Sequence, residues 1–123
     1  MPTVVVLAAH GSRAEAANTA HRVLADAVAA QSPVSVVPAF LELAEPSIPD
    51  AIDGAVSDGA TSVLVLPYFL HPGRHLAVDL SGIVTRATDR HPGADVRLLD
   101  LFGADPALVA LVVAQISRAS ARD

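Results

Sequence analysis

Residues 4–12, VVVLAAHGS, are six apolar residues cut off by His10, Gly11 and Ser12. A run this short does not make a helix, and its lack of polar alternation reads as a strand covered on both faces. Ser12 followed three residues later by Glu15 fits a capping box. From there to about residue 30, Ala17, Ala20, Leu24, Ala27 and Val28 recur at helical spacing. A buried strand, a tight turn and an amphipathic helix form the repeating unit of a parallel sheet.

The unit recurs along the chain. Residues 34–40 read as a second strand, Ser47 with Asp50 opens a second helix reaching residue 57, and residues 61–66 read as a third strand. Leu76, Leu80, Ile83, Val84 and Ala87 mark a third helix that stops at His91-Pro92-Gly93. Residues 95–101 give a fourth strand, and Asp105-Pro106 caps a last helix. The order βαβαβαβα predicts an α/β fold: a four-stranded parallel doubly wound sheet with helices on both faces and strand order 2-1-3-4. With no linker, low-complexity tract or short repeat, residues 1–123 are expected to form one domain.

Composition removes several functions. The formal charge of −5 and the absence of any Lys/Arg run exclude the electrostatic footprint of a nucleic-acid binder. Aromatics are only 3%, too few for a base-stacking surface. There is no cysteine, so any metal must be held by His, Asp, Glu or backbone oxygen. The N-terminal run lacks the charged flank of a signal peptide, and the apolar run around residues 107–116 is about half a bilayer span. The expectation is a cytoplasmic protein without a membrane partner.

Open parallel sheets bind ligands beyond the carboxyl ends of their strands, where the strand order reverses. Here that lies between the first and third strands. Their following residues are His10-Gly11-Ser12-Arg13 and the segment from Tyr68 to His75, and the loop after the second strand carries Glu42 and Glu45. Two imidazoles and a carboxylate converging on this edge suit a divalent transition metal and leave coordination positions open. One of Glu42 and Glu45 is expected to face inward. His71, ahead of Pro72, either lines the cleft or faces solvent, and Arg13 and Arg74 are either a clamp for anionic groups or exposed charges. His21 and His91 read as surface residues. GxGxxG, P-loop and GxSxG patterns are absent, so a phosphate site in the His-Gly-Ser turn has little support.

AAHGSR at 8–13, FLELAEPSI at 40–48 and LPYFLHPGRH at 66–75, followed by Asp79, resemble the three signatures of the sirohydrochlorin chelatases of the CbiX/SirB type, in its short, single-domain form. The likeness runs over essentially the whole chain, with the late LFGADPAL included. It implies a metal chelatase, a lyase inserting cobalt, iron or nickel into a tetrapyrrole in sirohaem or cobalamin biosynthesis. It implies His10, Glu42 and His75 as the metal-binding and catalytic set, and a homodimer, because longer relatives join two such units. The divalent metal (Co2+, Fe2+ or Ni2+) and sirohydrochlorin are then substrates, with no prosthetic group. Where many relatives have Asp-Ile-Pro this chain has Asp79-Leu80-Ser81, and His71 stands where an apolar residue is common.

Insertion requires stripping water from the ion and removing two pyrrole protons. Histidine suits both, since imidazole titrates near neutrality. His10 and His75 are expected to bind the ion, one of them accepting a proton, with Glu42 completing the set. Ser12, Arg13, Arg74 and His71 are expected to contact the substrate, the arginines gripping its carboxylates. A carrier of metal or tetrapyrrole that binds without turnover is the alternative.

Overall fold

The computed structural model describes residues 2–121. Its elements are β1 (Thr3–Ala9), α1 (Glu15–Gln31), β2 (Ser35–Phe40), α2 (Ile48–Ser57), β3 (Ser62–Pro67), α3 (Arg74–Arg90), β4 (Asp95–Leu98) and α4 (Ala107–Ser120), with a 3-10 turn at Phe102–Ala104. All strand pairs are parallel and the sheet order is β2-β1-β3-β4, as the alternation predicts. In-register pairing of Ala9 with Phe40 and of Ala8 with Pro67 brings the carboxyl ends of β2, β1 and β3 level. That alignment puts the loops after these strands side by side.

The two faces of the sheet are covered unequally. On one, α2 and α3 close over Val6, Ala8, Ala39, Val63, Val65 and Val96, with Ile48 and Ile52 of α2 fully buried. Truncating Ile52 to alanine should cost about 2–5 kcal/mol, because no neighbour can fill the space. On the other face, α1 covers Leu7 and Val36 with Ala25. Beyond that, Leu64 and Leu66 of β3 are only half-buried although β3 is an interior strand.

Several expectations change. The buried side of α1 is Asn18, His21 and Ala25, whereas Ala17, Ala20, Ala27 and Val28 face solvent. The apolar stripe was misphased because two polar residues take core positions. His21 is therefore a core residue, only 7% exposed, and His91 is half-buried and paired with Asp53. Ser12 does not cap α1: the N-cap is Ala14, and the Ser12 hydroxyl accepts from the Ala14 N–H two residues on. Ser47 does cap α2, accepting from Asp50 N–H, and Asp105 accepts from Ala107 N–H at the start of α4. β4 ends at Leu98 rather than residue 101, since the chain turns into the 3-10 segment. Helices lie on both faces as expected, α1 on one and α2 and α3 on the other, while α4 buries none of its residues.

Candidate metal-capturing site at the carboxyl edge

The β1–β2 ladder does not stop at the ends of the strands. Leu41 N–H donates to Ala9 O and Glu42 N–H to His10 O, at 2.8 and 3.0 Å, so the two loops travel together past the sheet edge. Between them Gly11 has φ +93°, a left-handed conformation, and a Cβ there would overlap the Glu42 carbonyl oxygen. Only glycine lets the loops approach this closely. The result is a side-chain pair, His10 Nε2 to Glu42 Oε1 at 3.0 Å, with both side chains more than half exposed. The Phe69 ring stands edge-on to His10 with centroids 6.4 Å apart.

Residues that the sequence reading missed hold this pair in place. Asn18, 2% exposed, accepts from Ser12 N–H through Oδ1 at 2.9 Å and donates through Nδ2 to Ser12 O at 2.8 Å. It thus serves as a strand-like partner for the residue after Gly11. Its Nδ2 also donates to Glu15, whose carboxyl is held below the usual range by hydrogen bonds from Arg22 and then from Asn18. Arg22 reaches from Glu15 to the Glu45 carbonyl and lies over the Phe40 ring at 5.1 Å, tying α1 to the loop after β2. His21 donates through Nε2 to Leu7 O at 2.9 Å and packs on Phe40 and Tyr68 beneath the loops.

The loop after β2 turns back sharply through Leu43, at φ 65°, and closes with Phe40 N–H on Pro46 O. Of the two acids, Glu42 is the one that meets His10. Glu45 is exposed and is engaged only through its backbone carbonyl.

His75 is placed otherwise. Arg74 and His75 belong to the first turn of α3, not to a loop, and both are exposed, as are Arg13 and His71. No group of three His, Asp or Glu side chains close enough to hold one metal occurs among the described residues. Two of the three expected ligands are thus together and the third is apart. The 74–75 segment starts a helix because Gly73, extended at φ −108°, acts as its N-cap, and Ala77 N–H bonds back to Gly73 O.

Cavity size does not point to this edge. A groove of ≈ 790 Å3 lies at the opposite end of the sheet between Pro2, Pro33, Val34 and α2, and its only titratable groups are Asp50 and Asp58. A smaller cleft of ≈ 160 Å3, lined by Pro72, Gly73 and Leu76 of the α3 entry and by Leu99 and Leu101, opens at the carboxyl edge. That groove offers no nitrogen ligand, whereas the carboxyl edge sets an imidazole beside a carboxylate. No helix among the described residues is long and apolar enough to cross a membrane.

The CbiX family model matches residues 4–119. The chain is 36% identical over 90 residues to the chloroplastic sirohydrochlorin ferrochelatase of Arabidopsis thaliana, which covers 72% of this chain and 40% of that protein. It superposes on the crystal structure of a CbiX protein from Marinobacter aquaeolei VT8 with TM-score 0.86 and 29% identity, covering 99% of this chain and all of that one. Against the sirohydrochlorin chelatase SirB of Bacillus subtilis subspecies spizizenii, solved with cobalt, the TM-score is 0.84 at 26% identity, covering 96% of this chain and 51% of SirB. The chain therefore spans less than half the length of the plant ferrochelatase and about half of SirB.

Proposed function

This chain belongs to the CbiX family, and from that membership we propose that it is a sirohydrochlorin chelatase, inserting a divalent metal into the tetrapyrrole. The observation that carries the reading is the His10–Glu42 pair, 3.0 Å apart and open to solvent at the carboxyl edge of the sheet. An imidazole nitrogen beside a carboxylate oxygen is a natural landing point for Co2+, Fe2+ or Ni2+, both atoms being donors such ions accept.

Capture would displace water from the ion, which lowers the cost of moving it from solvent into the ring. As the ion passes to the four pyrrole nitrogens, two N–H protons must leave. His10 accepts them one after the other, and Glu42, in contact with its Nε2, disperses the resulting charge and passes each proton on to solvent. His75 serves as the third ligand, approaching from the first turn of α3. Arg13 and Arg74 grip the peripheral carboxylates of the substrate with bidentate hydrogen bonds, and Ser12 and His71 line its approach.

The protein acts in the cytoplasm as one domain per chain and as two copies together, the tetrapyrrole lying between them. The two-copy reading follows the resemblance to the short chelatases, whose longer relatives join two such units.

The test is optical. Purified protein, sirohydrochlorin and Co2+ or Fe2+ should change the absorption spectrum faster than the metal and ring alone, with many turnovers per protein. His10→Ala should lower the rate by about 100-fold or more without altering the far-ultraviolet circular dichroism, and Glu42→Ala should follow it closely. A spectral change that stops at one ring per chain, or a normal rate in both variants, would overturn the assignment.

A further inference from the structure

The segment LFGADPAL at 101–108 carries none of the candidate ligands, yet the fold ties it to the loop beside them. Leu99 N–H donates to Val65 O at 2.8 Å, so the β3–β4 pairing continues past the end of β4. The chain then forms the 3-10 turn at Phe102–Ala104 and meets the loop after β3. There Gly103 N–H donates to Phe69 O at 2.9 Å, and a Cβ on Gly103 would overlap the Leu70 carbonyl. Tyr68 and Phe102 stack alongside, with centroids 4.9 Å apart. Only glycine lets the two backbones come this close.

Gly11 lies against the Glu42 carbonyl in the same way, so the carboxyl edge has two glycine seams. The first sets Glu42 beside His10. The second fixes the backbone of Phe69, which is also held from the sheet: Tyr68 N–H donates to Ala8 O at 2.7 Å, and Phe69 N–H closes a tight turn on Pro67 O at 3.1 Å. The half-buried Phe69 ring packs on the core and stands at 88° to the His10 imidazole, with centroids 6.4 Å apart. That imidazole is 60% exposed, and Glu42 is its one hydrogen-bonding side chain among the described residues. A fixed aromatic ring at this separation limits how far so open a side chain can turn.

We propose that Gly103 and Phe69 are positioning residues for His10: the glycine seam holds the Phe69 backbone, and the Phe69 ring holds the imidazole where its Nε2 and Glu42 Oε1 face an incoming divalent ion together. An imidazole ordered beforehand loses less rotamer freedom when the ion arrives, so the ion binds more tightly. The turn after β4 thereby joins the site, although it contributes no ligand. This role rests on the metal-capturing part of the proposed function and not on the two-copy part.

The test is calorimetric titration of the full chain with Co2+, without the tetrapyrrole. His10→Ala should lose binding. Phe69→Leu, which keeps an apolar side chain in the core but removes the ring, should weaken binding by about 2- to 10-fold, and Phe69→Tyr, which keeps the ring, should retain it. Gly103→Ala should show a loss of similar size, and the double variant Gly103→Ala, Phe69→Leu should lose no more than Phe69→Leu alone, because the glycine acts through the ring. Val63→Ala, at a fully buried position near the amino end of β3, should lower the unfolding midpoint and leave Co2+ affinity unchanged. Where Gly103→Ala fails to fold, the two Phe69 variants decide. Normal affinity in Phe69→Leu, equal losses in Phe69→Leu and Phe69→Tyr, additive losses in the double variant, or a matching loss in Val63→Ala would overturn the positioning role alone. A wild-type chain that binds no Co2+, or binds it equally well as His10→Ala, would overturn the metal-capturing reading and the positioning role with it.

Discussion

The loops after β1 and β2 and the segment after β3 all leave the same edge of the sheet, but they are held very differently. The first two are sewn together by backbone hydrogen bonds beyond the strand ends, by Gly11 packed on the Glu42 carbonyl, and by Asn18 and Arg22 reaching out of α1. Residues 71–75 have only the Gly73 cap, and His71, Arg74 and His75 are exposed without hydrogen-bonding side-chain partners among the described residues. A site assembled from both has one half preformed and one half adjustable. Under the proposed function, the preformed half suits capture of a small ion, and the adjustable half suits a large ring that must enter and leave.

Two glycines break this comparison most directly. Gly11→Ala forces a Cβ into the Glu42 carbonyl at a positive φ, so the two loops must separate. The expected cost is about 2–4 kcal/mol, read by denaturant unfolding, together with loss of metal insertion. Gly73→Ala is the matched control in the other half: its φ is −108° and a Cβ there meets only Leu76 Cβ at 3.7 Å. Stability should change by no more than about 1 kcal/mol, the difference between glycine and alanine at an N-cap. Equal losses in the two variants would mean that the halves are equally constrained.

Asn18→Ala is the next largest effect. It removes both hydrogen bonds to Ser12 and leaves a part-buried N–H and C=O to find water, at a cost of about 1–3 kcal/mol. The loop loses its register while His10 and Glu42 remain present. Titration with Co2+ should therefore show weaker binding in a variant that is still folded, and Asn18→Asp, which cannot donate to Ser12 O, should not restore it.

How much of this was legible in the sequence follows from what each residue's chemistry reveals alone. The strand order and the edge on which His10, Glu42 and the arginines gather come from apolar periodicity and chain direction, which a single sequence displays. Asn18 and His21 were invisible because they are polar residues doing the work of core residues, their polar atoms answered by Ser12 and Leu7 backbone groups far away in sequence. The stripe Asn18, His21, Ala25 has spacings of three and four and was available as a signal, had polar residues been allowed on the buried side. The position of His75 depended on where α3 begins, and a helix start shifts by a residue or two with no change in apolar pattern. The exposed state of α4 was not legible, since a helix without a polar face reads as a buried one, whereas α4 buries none of its residues.

The smallest effect concerns the other end of α3, where the comparison can be sharpened. At its C-terminal end Arg90 and His91 both donate to Asp53 Oδ1 of α2, at 2.8 and 2.7 Å, so α3 is anchored where it ends and loose where it begins. The hydrogen bond from His91, with Arg90 adding to it, holds the Asp53 carboxyl below the usual carboxylate range. A depressed folded-state value means that the stabilisation is fully present above the unfolded value of about 3.9 and is lost as pH falls through the folded one. Asp53 is 42% exposed, so screening keeps the contribution under about 1 kcal/mol. Asp53→Asn should accordingly lower stability slightly at neutral pH and flatten the acid limb of the stability curve below about pH 4. Its metal insertion should stay near the wild-type rate, because the anchor lies at the end of α3 remote from His75. A large loss of activity in this variant would show instead that the free end of α3 depends on the anchored one.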